Sequence, residues 1–344
     1  MLMITAEGAD VYLAKDTFEI GRNFGNKLWN ASRFFIENME SSIRFQSLYE
    51  ADALKPEDIW ILSRLQTTVS RVRSAVSNYR FNEMCRVIYD FTWHDFCDWY
   101  IEIVKKDLKA AKGERYRVVL NTGSYVLSAI LRLLHPVMPF VTEEIWGALR
   151  ERLLFPGVID VDSIMDSSYP ETDDRYKDTG VEEKMDLLKA VVTSLRTIRS
   201  ENNVSPGMKG SALVVPDTSE DEEWLSCRRN ILQDLANLSE LRVDKDAEKP
   251  EFAGQGVVKG CRVYLNLEGL IDPEVEANRL NKEIQRLEKL AESTSKRVNN
   301  QKFLANAPKD VVDKEKEKEK GICQKLEKLK ANLDNLSGNK SKQA

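Results

Sequence analysis

Near the C-terminus the chain carries two apolar seams, one after the other, separated by a short break. Ala277, Leu280, Ile284, Leu287, Ala291, Thr294 and Val298 recur at alternating steps of three and four, the heptad pattern of a helix that packs along one stripe. Asn306-Ala307-Pro308 interrupts the pattern, a helix stop followed by a proline suited to a new first turn. A second seam runs through Val312, Ile322, Leu326, Leu329, Leu333 and Leu336. Two seams of similar length about one turn predict an antiparallel coiled-coil hairpin over 272–338, each arm roughly 40 Å long at 1.5 Å per residue. Residues 339–344 are expected to be a disordered tail. Glu315 and Glu319 fall on the second seam, so pairing should be weakest there. An arm this thin buries too little surface to be a core. It is either a zipper to another chain or a lever reaching a large ligand. A hairpin that satisfies both seams by itself favours the lever and a monomer.

The rest of the chain divides by composition. Residues 1–153 are poor in Gly and Pro, and their apolar residues recur at three and four, as in a helical bundle. Residues 154–180 hold Pro156, Gly157, Pro170 and several aspartates, which predicts an extended linker. Residues 181–271 alternate in character. Val181–Asn202 and Asp221–Leu238 look helical, whereas Ser211–Pro216, Leu241–Asp244 and Val257–Leu267 look like strands. The expected architecture is mainly α: a helical bundle, a small α/β domain and a coiled-coil hairpin.

Charge narrows the function classes. The net charge is −5, which argues against indiscriminate nucleic-acid binding. Residues 272–344, however, hold 17 Lys and Arg against 13 Asp and Glu, so a local basic patch is available on a mildly acidic body. No run of eighteen apolar residues occurs, so no membrane contact is expected. The N-terminus lacks the basic start and apolar run of a signal peptide. Five scattered cysteines without a CxxC suggest neither a disulfide framework nor a zinc knuckle. A reduced, cytoplasmic setting follows.

Thr17–Glu40 is the segment richest in candidate contacts. Ile20, Phe24, Leu28, Ala31 and Phe35 form one narrow stripe at helical spacing, the expected core face. Arg22, Asn23, Asn26, Lys27, Asn30 and Arg33 gather on another side, with no acid among them until Glu37. Each asparagine costs about 0.5–0.7 kcal/mol of helix propensity relative to alanine. Such a face offers donors for phosphates and base edges, with Trp29 and Phe34 placed to stack on an unpaired base. The competing reading is that the asparagines bond the backbones of neighbouring helices. Arg64 and Arg71 lie seven apart on another predicted helix. They are candidate phosphate contacts or ordinary surface charge.

Catalytic chemistry finds little support. His94, Cys97 and Asp98 have a spacing that can present metal ligands on one helix face, but their surroundings are aromatic and core-like and no second ligand pair is visible. His135, between a helix end and Pro136, suits a packing or backbone-bonding role. There is no phosphate-cradling glycine loop and no nucleophile beside a convincing base. The expected catalytic, metal and cofactor sets are all none.

Four stretches carry a resemblance: RNFGNKLWNASRF (22–34), DIWILSRL (58–65), YRFNEMCRVIYDFTWHDFCDWYIE (79–102) and LLHPVMPFVTEEIW (133–146). Together they resemble the anticodon-binding helical domain of class I synthetases for valine, isoleucine and leucine. Within the last, Thr142 is placed to cap the helix that follows Pro139, and Glu143 and Glu144 suit its N-terminus. IRSENNVSPG (198–207) and NNQKFLANAPKDVVDKEKEK (299–318) look like the C-terminal region of bacterial valyl-tRNA synthetases. Isoleucyl enzymes are expected to end in a cysteine-rich zinc module, which is missing here. The ATP-binding HIGH-like and KMSKS-like motifs of the family do not occur in this sequence, nor does its editing insertion. The resemblance implies a tRNA-binding portion of an enzyme that joins valine to its tRNA using ATP and magnesium, with valine tRNA as partner. On that reading Arg22, Asn23, Asn26, Lys27, Asn30 and Arg33 are the candidate contacts to the anticodon, a role inferred for each from its place on the helix, and Arg64 and Arg71 on a neighbouring helix are candidate phosphate contacts beside them. The resemblance also implies contacts to the outer corner of the tRNA from Lys289, Lys296, Arg297, Asn299, Asn300, Lys302 and Lys309 around the hairpin tip. Two alternatives are a free-standing synthetase-derived RNA-binding factor and a coiled-coil assembly protein.

Overall fold

The computed structural model describes residues 15–40, 43–45, 47–49, 51–110, 112–271, 273–298, 317–318, 320–323, 326 and 330. It is mainly helical with small sheets, as expected, and falls into two units, 1–186 and 187–344.

The first unit is a bundle of α1 (Lys15–Glu37), α2 (Pro56–Ser77), α3 (Phe81–Asp90), α4 (Ile101–Lys109), α5 (Glu114–Leu134) and α6 (Pro139–Arg152). Two short strands, β1 (Ile43–Arg44) and β2 (Leu153–Leu154), pair in parallel. The α1 stripe packs largely as its spacing predicts: Phe24, Leu28 and Phe35 are buried. Ile20 is the exception, 40% exposed near the start of the helix. Trp60, Phe91, Phe96, Tyr100 and Trp146 complete the core, each essentially out of solvent. Helix α5 lies close to α1 at Gly123, where an added Cβ would stand 2.3 Å from the Phe35 ring.

Helices α3 and α4 are one continuous stretch whose middle, Phe91–Tyr100, is wound as a π-helix. In that winding the bonds run from i to i+5, so side chains five apart share a face. Asp95 and Tyr100 therefore both meet α2. Arg64 Nε bonds Asp95 Oδ2 at 3.0 Å and the Tyr100 hydroxyl donates to Asp58 Oδ1 at 3.0 Å.

At its N-terminus α2 has Pro56 in the first turn, and the Asp58 carboxylate accepts from the Lys55 backbone N–H at 3.0 Å. Arg115 of α5 reaches the same place. It bonds Asp58, Glu57 at 3.0 Å and Asp107 at 2.8 Å. Glu57 and Asp58 are almost wholly buried.

Two local expectations need correction. Thr142 does not cap α6; the N-cap is Met138. The Thr142 hydroxyl lies inside the helix, bonding the Met138 carbonyl and His135 Nδ1, both at 2.8 Å. Residues 154–180 are not a free linker but a strap bonded along the bundle. Trp146 Nε1 donates to the Val161 carbonyl, Glu143 accepts from Ser163, Arg132 donates to the Ser168 carbonyl and Arg73 to that of Pro170. The Asp173 N–H donates to Gln66 at 2.8 Å. The strap lacks regular periodicity because the helices satisfy its backbone from the side.

Helix α7 (Thr179–Glu201) leads into a four-stranded sheet of order β4-β3-β6-β5. Its strands are β3 (Gly210–Pro216), β4 (Leu238–Val243), β5 (Ala253–Val258) and β6 (Cys261–Asn266). β3 and β4 are parallel; β6 is antiparallel to both β3 and β5. The expected helix 221–238 is two helices, α8 (Ser219–Cys227) and α9 (Arg229–Ala236), joined at Arg228. The expected strand 257–267 is instead a hairpin, turning at Lys259-Gly260 with Gly260 at φ +78°. A positive φ of this kind suits glycine.

In the C-terminal region α10 (Pro273–Val298) buries Ile284, Leu287, Thr294 and Val298 of the first seam. Residues 317, 318, 320–323, 326 and 330 are helical. Lys330 Nζ lies 2.7 Å from Glu288 Oε1, and Ile322 is buried. The turn at Asn306–Pro308 and the tail 339–344 lie outside the described residues.

Candidate nucleic-acid interface

Helix α1 is held so that its polar face forms one wall of a cleft of about 450 Å³. Asn23, Asn26, Lys27, Asn30, Ala31 and Phe34 line it from α1; Cys97, Ile101, Glu102 and Lys105 line it from the π segment and α4. Four of the six α1 residues singled out from sequence thus meet in one place. The three asparagines are exposed. A volume of this size lies in the range of small-molecule sites.

The aromatic and charged groups around the cleft are arranged with care for each other's charge. Lys27 Nζ sits 4.0 Å from the centroid of Trp93 and pairs with Asp98. Trp93 in turn stacks on Tyr89, centroids 5.4 Å apart, and Tyr89 lies against Phe24 at 5.1 Å. Lys105 pairs with Glu102 at 3.0 Å, and both Lys105 and Lys109 stand 5.9 Å from the Phe34 ring. The α1 face reads as free of acid along the chain. In three dimensions Asp98, 71 residues beyond Lys27 in the chain, and Glu102 bring acid to it.

The remaining candidates are placed differently. Arg22 is exposed with Glu19 at 3.4 Å, and Arg33 is exposed with Glu37 at 3.9 Å. Trp29 is 40% exposed and does not line the cleft. Arg71 is exposed. Arg64 lies between Asp95 and Glu182, at 3.0 and 3.4 Å. These carboxylates hold its charge firmly, with a pKa above its ordinary value even though burial opposes it. About a third of the Arg64 side chain is still exposed, 35%, with both acids beside it. In the arm, Lys289 and Lys296 are exposed, the latter paired with Glu292 at 2.6 Å. The side chain of Arg297, and Asn299, Asn300, Lys302 and Lys309 altogether, lie outside the described residues. Sequence reasoning missed Trp93, Ile101, Glu102 and Lys105, and it saw Asp98 only as a metal ligand.

His94 Nδ1 lies 3.3 Å from Asp98 Oδ2, but Cys97 is buried and its thiol is pushed by burial up to about 12. Cys261 is likewise pushed up to about 12. Reactivity requires the thiolate. At pH 8 a disulfide-exchange dye should therefore label the exposed Cys227 and Cys323 within minutes. Cys97 and Cys261 should react only after denaturant is added, as peptide mapping of the labelled chain will report.

Known proteins match this chain in two blocks and along its length. Residues 58–214 match the anticodon-binding domain of tRNA ligase, and residues 272–337 match the valyl tRNA synthetase tRNA binding arm. The valine–tRNA ligase of Syntrophotalea carbinolica is 39% identical over 335 residues, covering 96% of this chain and 36% of that protein. Those of Fusobacterium nucleatum and Bacillus subtilis are each 35% identical, covering 97% of this chain and 37% of the relative. The chain spans little more than a third of the length of these relatives. Aligned with them almost from end to end, the chain corresponds to the C-terminal part of valyl-tRNA synthetases, with matches to the anticodon-binding domain and the tRNA-binding arm.

Proposed function

We propose that the chain binds tRNA, and valine tRNA in particular, as the docking portion of a valine–tRNA ligase. The observation that carries this reading is the cleft on α1, where three exposed asparagines, Lys27 and Phe34 converge. Amides and a ring suit an unpaired base, which can be stacked on one face and bonded at its edge. The arm supplies the second contact. Lys289, Lys296, Arg297, Lys302 and Lys309, with Asn299 and Asn300, would lie against phosphates at the outer corner of the tRNA. The whole ligase would use ATP and magnesium to join valine to its tRNA. Among the described residues no group of three or more His, Cys, Asp and Glu is set to hold a metal ion, and the sequence has no glycine-rich phosphate loop.

Salt-controlled titrations against valine and isoleucine tRNA transcripts test the reading. Tighter binding of valine tRNA is expected, with a log affinity that falls linearly against log salt. Equal binding would reduce the chain to a reader of shape and charge; absence of binding at low salt would overturn the proposal. Replacing Arg297 and Lys302 with glutamate should weaken binding and make the salt slope shallower by about 1.4–1.8, two phosphate contacts' worth. Unchanged affinity would remove the arm from the mechanism.

A zipper between chains is the competing use of the arm. The Lys330–Glu288 contact within one chain supports the self-paired form, and sedimentation at micromolar concentration should return a monomer. No helix among the described residues is long and apolar enough to cross a membrane, and a cytoplasmic setting fits the reading.

A further inference from the structure

The π winding of Phe91–Tyr100 does something specific at the cleft. Trp93 and Asp98 are five residues apart. In an α-helix that spacing covers about 1.4 turns and would point them to different sides. With i to i+5 bonding they align, and Lys27 of α1 inserts against both, its ammonium 4.0 Å from the Trp93 centroid and paired with Asp98. Lys27 is only partly exposed, with about a quarter of its side chain open to solvent. The winding is fastened from the far side by Arg64 on Asp95 and Tyr100 on Asp58.

Charge then limits what the cleft accepts. Lys27 is matched by Asp98 and Lys105 by Glu102. A phosphate arriving here would meet two carboxylates along with two ammonium groups. An uncharged base edge would meet a fixed N–H donor, three amides and a ring. We propose that Lys27 is a fixed hydrogen-bond donor to a base edge rather than a phosphate anchor, and that Trp93 and Asp98 are the residues that position it. The proposal rests on the tRNA reading above and names the chemistry of its cleft.

The experiment titrates the full chain and its variants with a valine tRNA transcript, and with transcripts carrying single substitutions in the anticodon loop, over a range of salt. Lys27→Met should lower affinity about tenfold, the scale of one well-made base contact. It should flatten discrimination among the loop bases while leaving the slope of log affinity on log salt unchanged. Asp98→Asn keeps the side-chain shape but leaves the ammonium uncompensated. Its slope should steepen by about 0.7, one added counterion on a single strand, and its discrimination should fall. Trp93→Phe, which preserves a ring face under the ammonium, should keep most of the native selectivity, and Trp93→Leu should lose it. Thermal melts confirm that each variant is folded, and the two Trp93 variants carry the test if Asp98→Asn is not. A Lys27→Met slope shallower by about 0.7 with base preference intact would make Lys27 a phosphate anchor. An Asp98→Asn protein with native slope and selectivity, or a Trp93→Leu protein as selective as the native chain, would sink the positioning role. If the native chain binds none of the transcripts at low salt, it is the tRNA reading that fails.

Discussion

Replacing Arg115 with methionine should destabilise the bundle by about 3–5 kcal/mol, the usual cost of stranding buried charge by removing its partner. The side chain is one-fifth exposed and touches three acids: Asp58, Glu57 at 3.0 Å and Asp107 at 2.8 Å. Burial works against the guanidinium charge, but Asp58 and Glu57 outweigh it and hold its pKa above the ordinary value. Methionine fills similar space and offers none of these bonds. Urea unfolding followed by circular dichroism measures the loss. A loss below about 1 kcal/mol would mean that the network is no stronger than a surface pair.

The pH dependence of that loss tests the cause. Burial, and next the neighbouring Asp58, already raise the pKa of Glu57 in the native protein. A raised carboxyl pKa means that the folded state binds protons more readily than the unfolded state. Its contribution to stability is therefore present below the unfolded pKa and is lost as pH rises through the folded one. Without Arg115 the acids lose their compensating charge, and the folded pKa of Glu57 should climb further. The difference between native and variant proteins should consequently narrow on going from pH 7.5 to pH 5. A difference that is constant with pH would point to lost packing rather than to stranded charge.

How far the sequence could be read depended on whether the partners of a residue lay on its own element. The α1 stripe of Phe24, Leu28 and Phe35 was legible because helical spacing alone places them together, and the excess of asparagine beside it was legible as a local cost without local benefit. The partners of Lys27 beside the cleft were not. Trp93 and Asp98 fall on different sides of any helix drawn at 3.6 residues per turn, and nothing in FTWHDFCDWY announces a π winding. The strap at 154–180 reads as a linker because its partners, Gln66, Arg73, Arg132 and Glu143, are invisible from its own composition. Arg64 illustrates the same limit: a cation on a polar-looking helix turns out to be enclosed by Asp95 and Glu182. The turn at Lys259-Gly260, by contrast, was there to be seen, since a glycine between two apolar runs is an ordinary hairpin signal.

Alanine at Gly123 should destabilise the protein by about 1–3 kcal/mol, the usual cost of overpacking a filled core. Helix propensity alone predicts the opposite, a gain of about 1 kcal/mol for glycine to alanine in a helix interior. Packing decides the sign. The new Cβ would stand 2.3 Å from Phe35 Cζ and 2.6 Å from Cε2, and the Phe35 ring is wholly buried, so it cannot swing into solvent. Gly21 and Gly147 serve as controls: an added Cβ meets nothing within 4 Å at either, and alanine there should be neutral or stabilising. Shrinking the ring in the pair Gly123→Ala with Phe35→Leu should restore part of the loss, the coupling expected of two residues that meet. The consequence reaches the interface, because Phe35 follows Phe34 on the helix that forms one wall of the cleft. If α1 is pushed outward, Gly123→Ala should weaken tRNA binding as well as stability, and the Phe35→Leu pair should recover both. Recovery of stability without recovery of binding would show that the cleft tolerates movement of α1 and that its selectivity resides on the π-wound side.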